Sequence, residues 1–116
     1  YAALAALKGP QSYVEEMVKE YNERRKLIMR KLKEISEVSF VEPKGAFYVF
    51  PNMEKLGISS KELVEYLIKE ARVLVSPGYP FFGPGGKHHI RISYTVPRNK
   101  LETAMERIKQ AIEKLS

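Results

Sequence analysis

The chain has no cysteine, which excludes disulfide scaffolds, thiolate metal sites and cysteine nucleophiles together. It also lacks any block of about eighteen apolar residues, so the sequence offers no transmembrane helix. No charged-then-apolar leader precedes a small-residue cleavage site, and the cytoplasm is the expected compartment. There is no internal repeat and no low-complexity tract. Histidine is scarce, with only His88 and His89. Adjacent on a strand, these two point to opposite faces, and no acidic residue stands near them, so no metal site is expected. Glutamine is rare while lysine and glutamate abound, a composition that leans towards a thermophile source.

What is present fits one domain of 116 residues, of which 44% are hydrophobic. A chain of this size buries roughly two-thirds of its unfolded surface. The net charge of +6 arises from 20 basic and 14 acidic residues. These alternate along helix-patterned segments, as Glu15, Glu16, Lys19 and Glu20 do. Such a pattern reads as a solvated face laced with ion pairs.

The first residue is Tyr1, and Tyr1–Lys8 is strong helix former with no capping residue before it. A chain that opens inside a helix is expected to be a piece of something longer, with residues 1–9 the end of a leading or interdomain helix. Ser12 with Glu15 has the form of a capping box for a long helix over 12–36, whose stripe is Val14, Val18, Tyr21, Ile28, Leu32 and Ile35, widened by Met17. Arg25 interrupts that stripe and is expected to lay its stem on the core with its head in water. Two strands follow, 38–41 and 46–50, joined by Pro43-Lys-Gly45; the apolar succession of the second suggests cover on both faces. Ser59 with Glu62 opens another helix, running to Ala71, and a strand over 73–76 comes next. The strand 88–95 alternates, with Ile90, Ile92 and Tyr94 on one face and His89, Arg91 and Ser93 on the other. Asn99 with Glu102 caps a last helix. The expected class is α+β, a small mixed β-sheet with helices packed on it.

Chemistry is concentrated in two places. Arg91 lies mid-strand between isoleucines and needs a partner, because breaking a buried charge pair costs about 3–5 kcal/mol. Its planar fork suits a carboxylate. That carboxylate could belong to an internal glutamate or to a ligand, and the residues alone leave both open. The second place is the loop of residues 77–87, rich in glycine, proline and aromatic residues; loops of this length in small domains are often functional. Its Gly83-Pro-Gly-Gly86 run leads into a strand rather than a helix, so it lacks the geometry of a phosphate cradle. No Ser–His–acid arrangement can be drawn around Ser76 or Ser93.

Several ordered strings resemble the C-terminal part of class I/II aminotransferases: Pro43-Lys-Gly-Ala-Phe-Tyr-Val-Phe-Pro51, then Val75-Ser-Pro-Gly78 with Phe82-Gly83 and Gly86, then His89-Ile-Arg-Ile-Ser-Tyr94. Ala6-Leu-Lys-Gly-Pro10 and Tyr21-Asn-Glu-Arg-Arg25 are similar too, so the likeness runs over nearly the whole chain. The resemblance implies that residues 1–116 are the C-terminal small domain of a longer pyridoxal-phosphate enzyme that moves an amino group from an amino acid to a 2-oxo acid. It implies that Arg91 binds the substrate α-carboxylate, that Phe47 lines the pocket, and that the 77–86 loop forms a wall of the cleft. The cofactor's lysine anchor, the acid paired with its ring nitrogen and its phosphate-binding groups would lie in the large domain of the same polypeptide. This stretch alone is therefore expected to bind no cofactor and to be inactive, and the parent to be a homodimer with no nucleic-acid or membrane partner. A stand-alone basic module for nucleic acid or protein, and an amino-acid-sensing domain, are the rival readings.

Overall fold

The computed structural model describes residues 1–115. Helix α1, Ala2–Lys8, ends at Gly9, and helix α2 follows at Ser12–Lys33. The expected Ser12–Glu15 capping box does not form, because Ser12 is already the first helical residue. Gln11 holds the cap position, its carbonyl accepting from Val14 and Glu15 at 3.0 and 3.4 Å. Its side-chain amide donates back to the Ala6 and Gly9 carbonyls, which ties the corner between the two helices.

Along α2 the apolar stripe splits. Leu27, Ile28 and Leu32 are buried and Ile35 joins them beyond the helix, whereas Val14, Met17 and Val18 stay exposed together with Leu4 and Leu7 of α1. The molecule is accordingly long, 52 × 29 × 24 Å, with a radius of gyration of 16.2 Å; a compact chain of this length would have about 13–14 Å.

The body is a three-stranded sheet of β1 (Tyr48–Val49), β2 (Ser76–Pro77) and β3 (Ile90–Ser93) in the order β1-β3-β2. Helix α3 (Ser60–Tyr66) and helix α4 (Arg98–Leu115) pack on it with the second half of α2. The α+β class holds, but both strand pairings are antiparallel rather than mixed. The strands are also shorter than predicted. The segment 38–41 keeps one bridge, Ser39 to Asn52. Segment 46–50 shrinks to β1 because Ala46 turns left-handed at φ 59, and its face carrying Tyr48 and Phe50 is open rather than covered. Pro77, without an amide hydrogen, sits on an edge strand where none is needed.

The second capping box does form. Ser59 Oγ accepts from the Glu62 amide and the Glu62 carboxylate accepts from the Ser59 amide, both at 3.2 Å. α3 then widens into a π-helical turn, Leu67–Ala71, and stops at left-handed Arg72. The expected Asn99 cap is displaced: α4 starts at Arg98, so Asn99 lies inside the first turn and only its carbonyl is engaged, by Thr103.

Val49, Ile90 and Ile92 of the sheet meet Ile28, Leu32 and Ile108 of the helices in one sealed core. Each such side chain contributes about 1.5–3 kcal/mol on burial. Surface charges pair across the helices, Lys31 with Glu102 and Glu106, Lys109 with Glu34, and Arg98 with Glu20. Pairs of this kind contribute about 0.2–1 kcal/mol each. No helix among the described residues is long and apolar enough to cross a membrane.

Candidate functional site

The loop of residues 77–87 is closed by two glycines. A Cβ added to Gly78 would stand 2.3 Å from the Gly86 carbonyl oxygen, and one added to Gly86 would stand 2.3 Å from that of Gly78. Neither glycine has positive φ; it is the close crossing of backbones that excludes a side chain. The Gly78 amide donates to the His89 carbonyl and the Phe82 amide to the Gly78 carbonyl, both at 2.8 Å. Buried Ser60 at the start of α3 fastens the loop from outside. Its amide donates to the Lys87 carbonyl at 2.6 Å, and its hydroxyl accepts from the Tyr79 amide at 3.3 Å. The product of this folding is a fixed position for Phe82.

Phe82 stands beside Arg91. In β3, Arg91 pairs with Ser76, and Ser93 pairs with Tyr48. Cross-strand partners and residues two apart share a face, so Tyr48, Ser76, Arg91 and Ser93 form one side of the sheet. The Arg91 Cζ lies 4.4 Å from the Tyr48 ring centroid and 5.3 Å from that of Phe82. Its Nη2 reaches Ser76 Oγ at 3.4 Å, a long bond, and its buried Nε has no partner at all. No ion pair among the described residues involves Arg91. The internal-carboxylate alternative therefore finds no support, and the guanidinium keeps its charge and most of its donors. A buried donor left unsatisfied costs about 1–3 kcal/mol.

Arg91 also lines a groove of about 700 Å³ between the 72–76 segment and the first half of α4. Arg72, Lys100 and Arg107 add positive charge along it, Ser76 and Ser93 add hydroxyls, and no carboxylate lines it. The groove is receptive to anions. Its lining does not suit pyridoxal phosphate by itself: there is no acid for a pyridinium nitrogen, and the one lysine, Lys100, is exposed rather than held in a dry pocket.

Phe47 lies elsewhere. Its ring stacks on Tyr21 of α2 at 5.9 Å and touches Tyr48 at 4.5 Å, and it borders a smaller hollow shared with Val18, Arg25 and Tyr94. Tyr48, one residue on, is the aromatic neighbour of Arg91. Sequence reading missed Tyr48 and Phe82, since only the strand register and the loop path bring them to the arginine. Arg25 differs from expectation too. Its head is not in water but bound to Asn22 at 2.9 and 3.0 Å and to Glu42 at 2.9 Å, which holds the turn before β1 against α2. From the other side, the Tyr94 hydroxyl donates to the Ala46 carbonyl at 3.1 Å. Burial pushes that hydroxyl's pKa up, so it remains a donor.

His88 and His89 diverge as alternation requires. His88 Nδ1 faces the Ile58 carbonyl at 3.2 Å, while the His89 ring stacks on Phe50 at 4.7 Å, and Phe50 in turn meets Phe82 edge-on at 5.4 Å. Among the described residues no group of three or more His, Cys, Asp or Glu is placed to hold a metal ion. The Pro84–Gly86 stretch is one 3-10 turn and not the start of a helix.

A family model, aminotransferase class I and II, matches residues 1–108. The chain is 48% identical to an aspartate aminotransferase of Pyrococcus horikoshii and 46% identical to aromatic-amino-acid aminotransferase 2 of Thermococcus litoralis. In each case 97% of this chain is covered but only 29% of the relative. The crystal structure of an aromatic aminotransferase from P. horikoshii superposes on all of this chain, and on 32% of its own, with a TM-score of 0.92 at 48% identity. The chain thus spans under a third of the length of the proteins it matches, and its relatives include thermophilic archaeal proteins.

Proposed function

Because the chain belongs to the class I and II aminotransferases, we propose that it is the C-terminal small domain of a longer, pyridoxal-phosphate-dependent enzyme, in which Arg91 holds the α-carboxylate of an amino acid or 2-oxo acid. The observation that carries this reading is an arginine on an open sheet face with a buried, unpartnered Nε and no internal acid. Two parallel N–H···O bonds from a guanidinium fix a carboxylate in position and in plane. Fixing it orients the substrate's amino group and Cα–H towards the reacting centre, and such orientation supplies a large share of the rate. A lysine would supply charge without the fork.

The cofactor, when bound to the parent, supplies the electron sink for amino-group transfer. Its anchoring groups are assigned to the rest of the polypeptide, in keeping with the groove's lack of an acid. This chain contributes the carboxylate side of the cleft, with the 77–86 loop as one wall and Phe47 on its flank near α2. The exposed stripe of α1 and the first half of α2 is assigned to contact with the large domain, in a homodimeric parent. Basic residues are interspersed with acidic ones and pair with them along the helix surfaces, and family membership does not favour the nucleic-acid module.

The test is Arg91→Lys in the full-length polypeptide. Amino-transfer kcat/KM is expected to fall by about a hundredfold, with KM raised by the lost carboxylate bonds and kcat lowered by the lost orientation. Unchanged KM for both amino acid and 2-oxo acid would sink the assignment. The isolated chain mixed with pyridoxal phosphate is expected to give no turnover above buffer.

A further inference from the structure

We propose that Tyr48 and Phe82 are positioning residues of the carboxylate site, and that their rings, rather than an acid or a carbonyl, hold the Arg91 guanidinium in its working orientation. This rests on the reading of Arg91 given above and assigns what keeps that residue ready.

A guanidinium on a sheet face has several rotamers open to it, and a binding arginine has to be held in one of them. The usual means is a carboxylate or a backbone oxygen behind it. Such a partner occupies N–H groups that the ligand also needs, and an acid cancels the charge. Among the described residues Arg91 has neither kind of partner: the hydrogen bond found for it is the long one to Ser76, and it forms no ion pair. What lies against it are two aromatic rings, at 4.4 and 5.3 Å from Cζ. A ring face attracts a cation through its quadrupole and accepts no conventional hydrogen bond, so the rings fix the guanidinium's place without using up its N–H groups.

The two rings come from independent parts of the fold. Tyr48 is set by the register of β1 on β3, and Phe82 by the loop whose ends cross at Gly78 and Gly86. Phe82 is itself held edge-on by Phe50, which stacks on His89. Both residues are partly exposed, 37% for Tyr48 and 45% for Phe82, and neither belongs to the buried core.

The experiment compares Tyr48→Phe, Tyr48→Leu, Phe82→Leu and Arg91→Lys in the full-length enzyme. KM and kcat are measured with an amino acid and a 2-oxo acid, and turnover is measured with a primary amine that has no carboxylate. Tyr48→Leu and Phe82→Leu are expected to raise KM for both carboxylate substrates by about tenfold, the scale of a lost cation–π contact. Amine turnover should fall less than turnover of the carboxylate substrates, and Tyr48→Phe, which keeps the ring face, should stay within about twofold of the parent. Equal loss in Tyr48→Phe and Tyr48→Leu overturns the proposal, because the hydroxyl would then be the active part. A parallel fall in amine turnover overturns it as well, since that marks general damage. If Arg91→Lys raises KM while the two leucine variants do not, the rings are dispensable and the proposal fails with the carboxylate reading intact. If Arg91→Lys changes nothing, the carboxylate reading itself fails.

Discussion

The two faces of one short strand have opposite duties. On the inner face of β3, Ile90 and Ile92 are sealed against α2, α3 and α4, with Val49 beside them. On the outer face, Arg91 and Ser93 stand half-buried among aromatic rings and hydroxyls, and the Arg91 Nε has no partner. Alternation with a period of two puts the residues of stability and of chemistry next to each other in sequence and apart in space. The inner face is apolar but for the Tyr94 hydroxyl, which the Ala46 carbonyl satisfies, and it therefore locks. The outer face is left incomplete, and a ligand can complete it. Stability and function should consequently respond to different substitutions.

The largest expected effect lies on the inner side. Ile90→Ala should cost about 2–5 kcal/mol in urea unfolding. Its neighbour supplies the contrast: Arg91→Met should change stability by less than about 1 kcal/mol, since exchanging an under-bonded polar group for an apolar one of similar length is nearly neutral. Equal losses in the two variants would abolish the distinction between the faces.

Next comes Gly86→Ala, where a methyl group meets the Gly78 carbonyl oxygen at a distance no backbone tolerates. A loss of about 1–3 kcal/mol is expected in the same measurement. This residue belongs to neither face, so its cost shows how far the outer face depends on the loop. A smaller effect is expected along α2, whose halves repeat the comparison. Val18→Ser should fall within about 0.5 kcal/mol in the isolated chain, while Leu32→Ala should resemble Ile90→Ala. A large loss at Val18 would mean that the exposed stripe is covered within this chain after all.

The smallest effect concerns pH. Hydrogen bonds from Arg98 and then Arg24 hold the Glu20 carboxyl at about 2, below an ordinary value near 4.5. A depressed carboxyl contributes stability above the unfolded value and loses it as pH falls through the folded one. Glu20→Gln should therefore flatten the acid limb of the stability profile between about 4.5 and 2 and shift stability at neutral pH only slightly. A profile unchanged in that window would show the Arg98–Glu20 contact to be energetically idle.

Much of this was legible in the sequence, and the losses have physical causes. The Ser59–Glu62 box and the opposition of Arg91 to Ile90 and Ile92 follow from local spacing, and the fold class follows from the order of the elements. The family strings pointed to the right relatives. Spacing alone could not show that Val14, Met17 and Val18 are exposed, because an apolar stripe does not say which body it faces. Nor could it show that Ser12 sits one place inside its helix, since the corner at Gly9–Pro10 hands the cap to Gln11. Strand lengths failed for a similar reason: the left-handed turn at Ala46 and the single bridge at Ser39 are tertiary outcomes. At the site, Arg91 stood out as a lone charge among isoleucines, whereas Tyr48 and Phe82 required register and loop path. Phe47 was readable as aromatic and close, but not as turned towards Tyr21.

The crossing of Gly78 and Gly86 carries one more consequence. Where two backbones touch, the chain between them is a ring already closed. The entropy of bringing its ends together is spent at the crossing and grows only slowly with the length of the tip. Doubling the length of such a closed loop adds only about 0.6 kcal/mol. The tip around Pro80 and Phe81 is therefore free to gain or lose residues over evolutionary time while the crossing stays. The fold can reshape the tip of this loop by insertion and leave the crossing where it is.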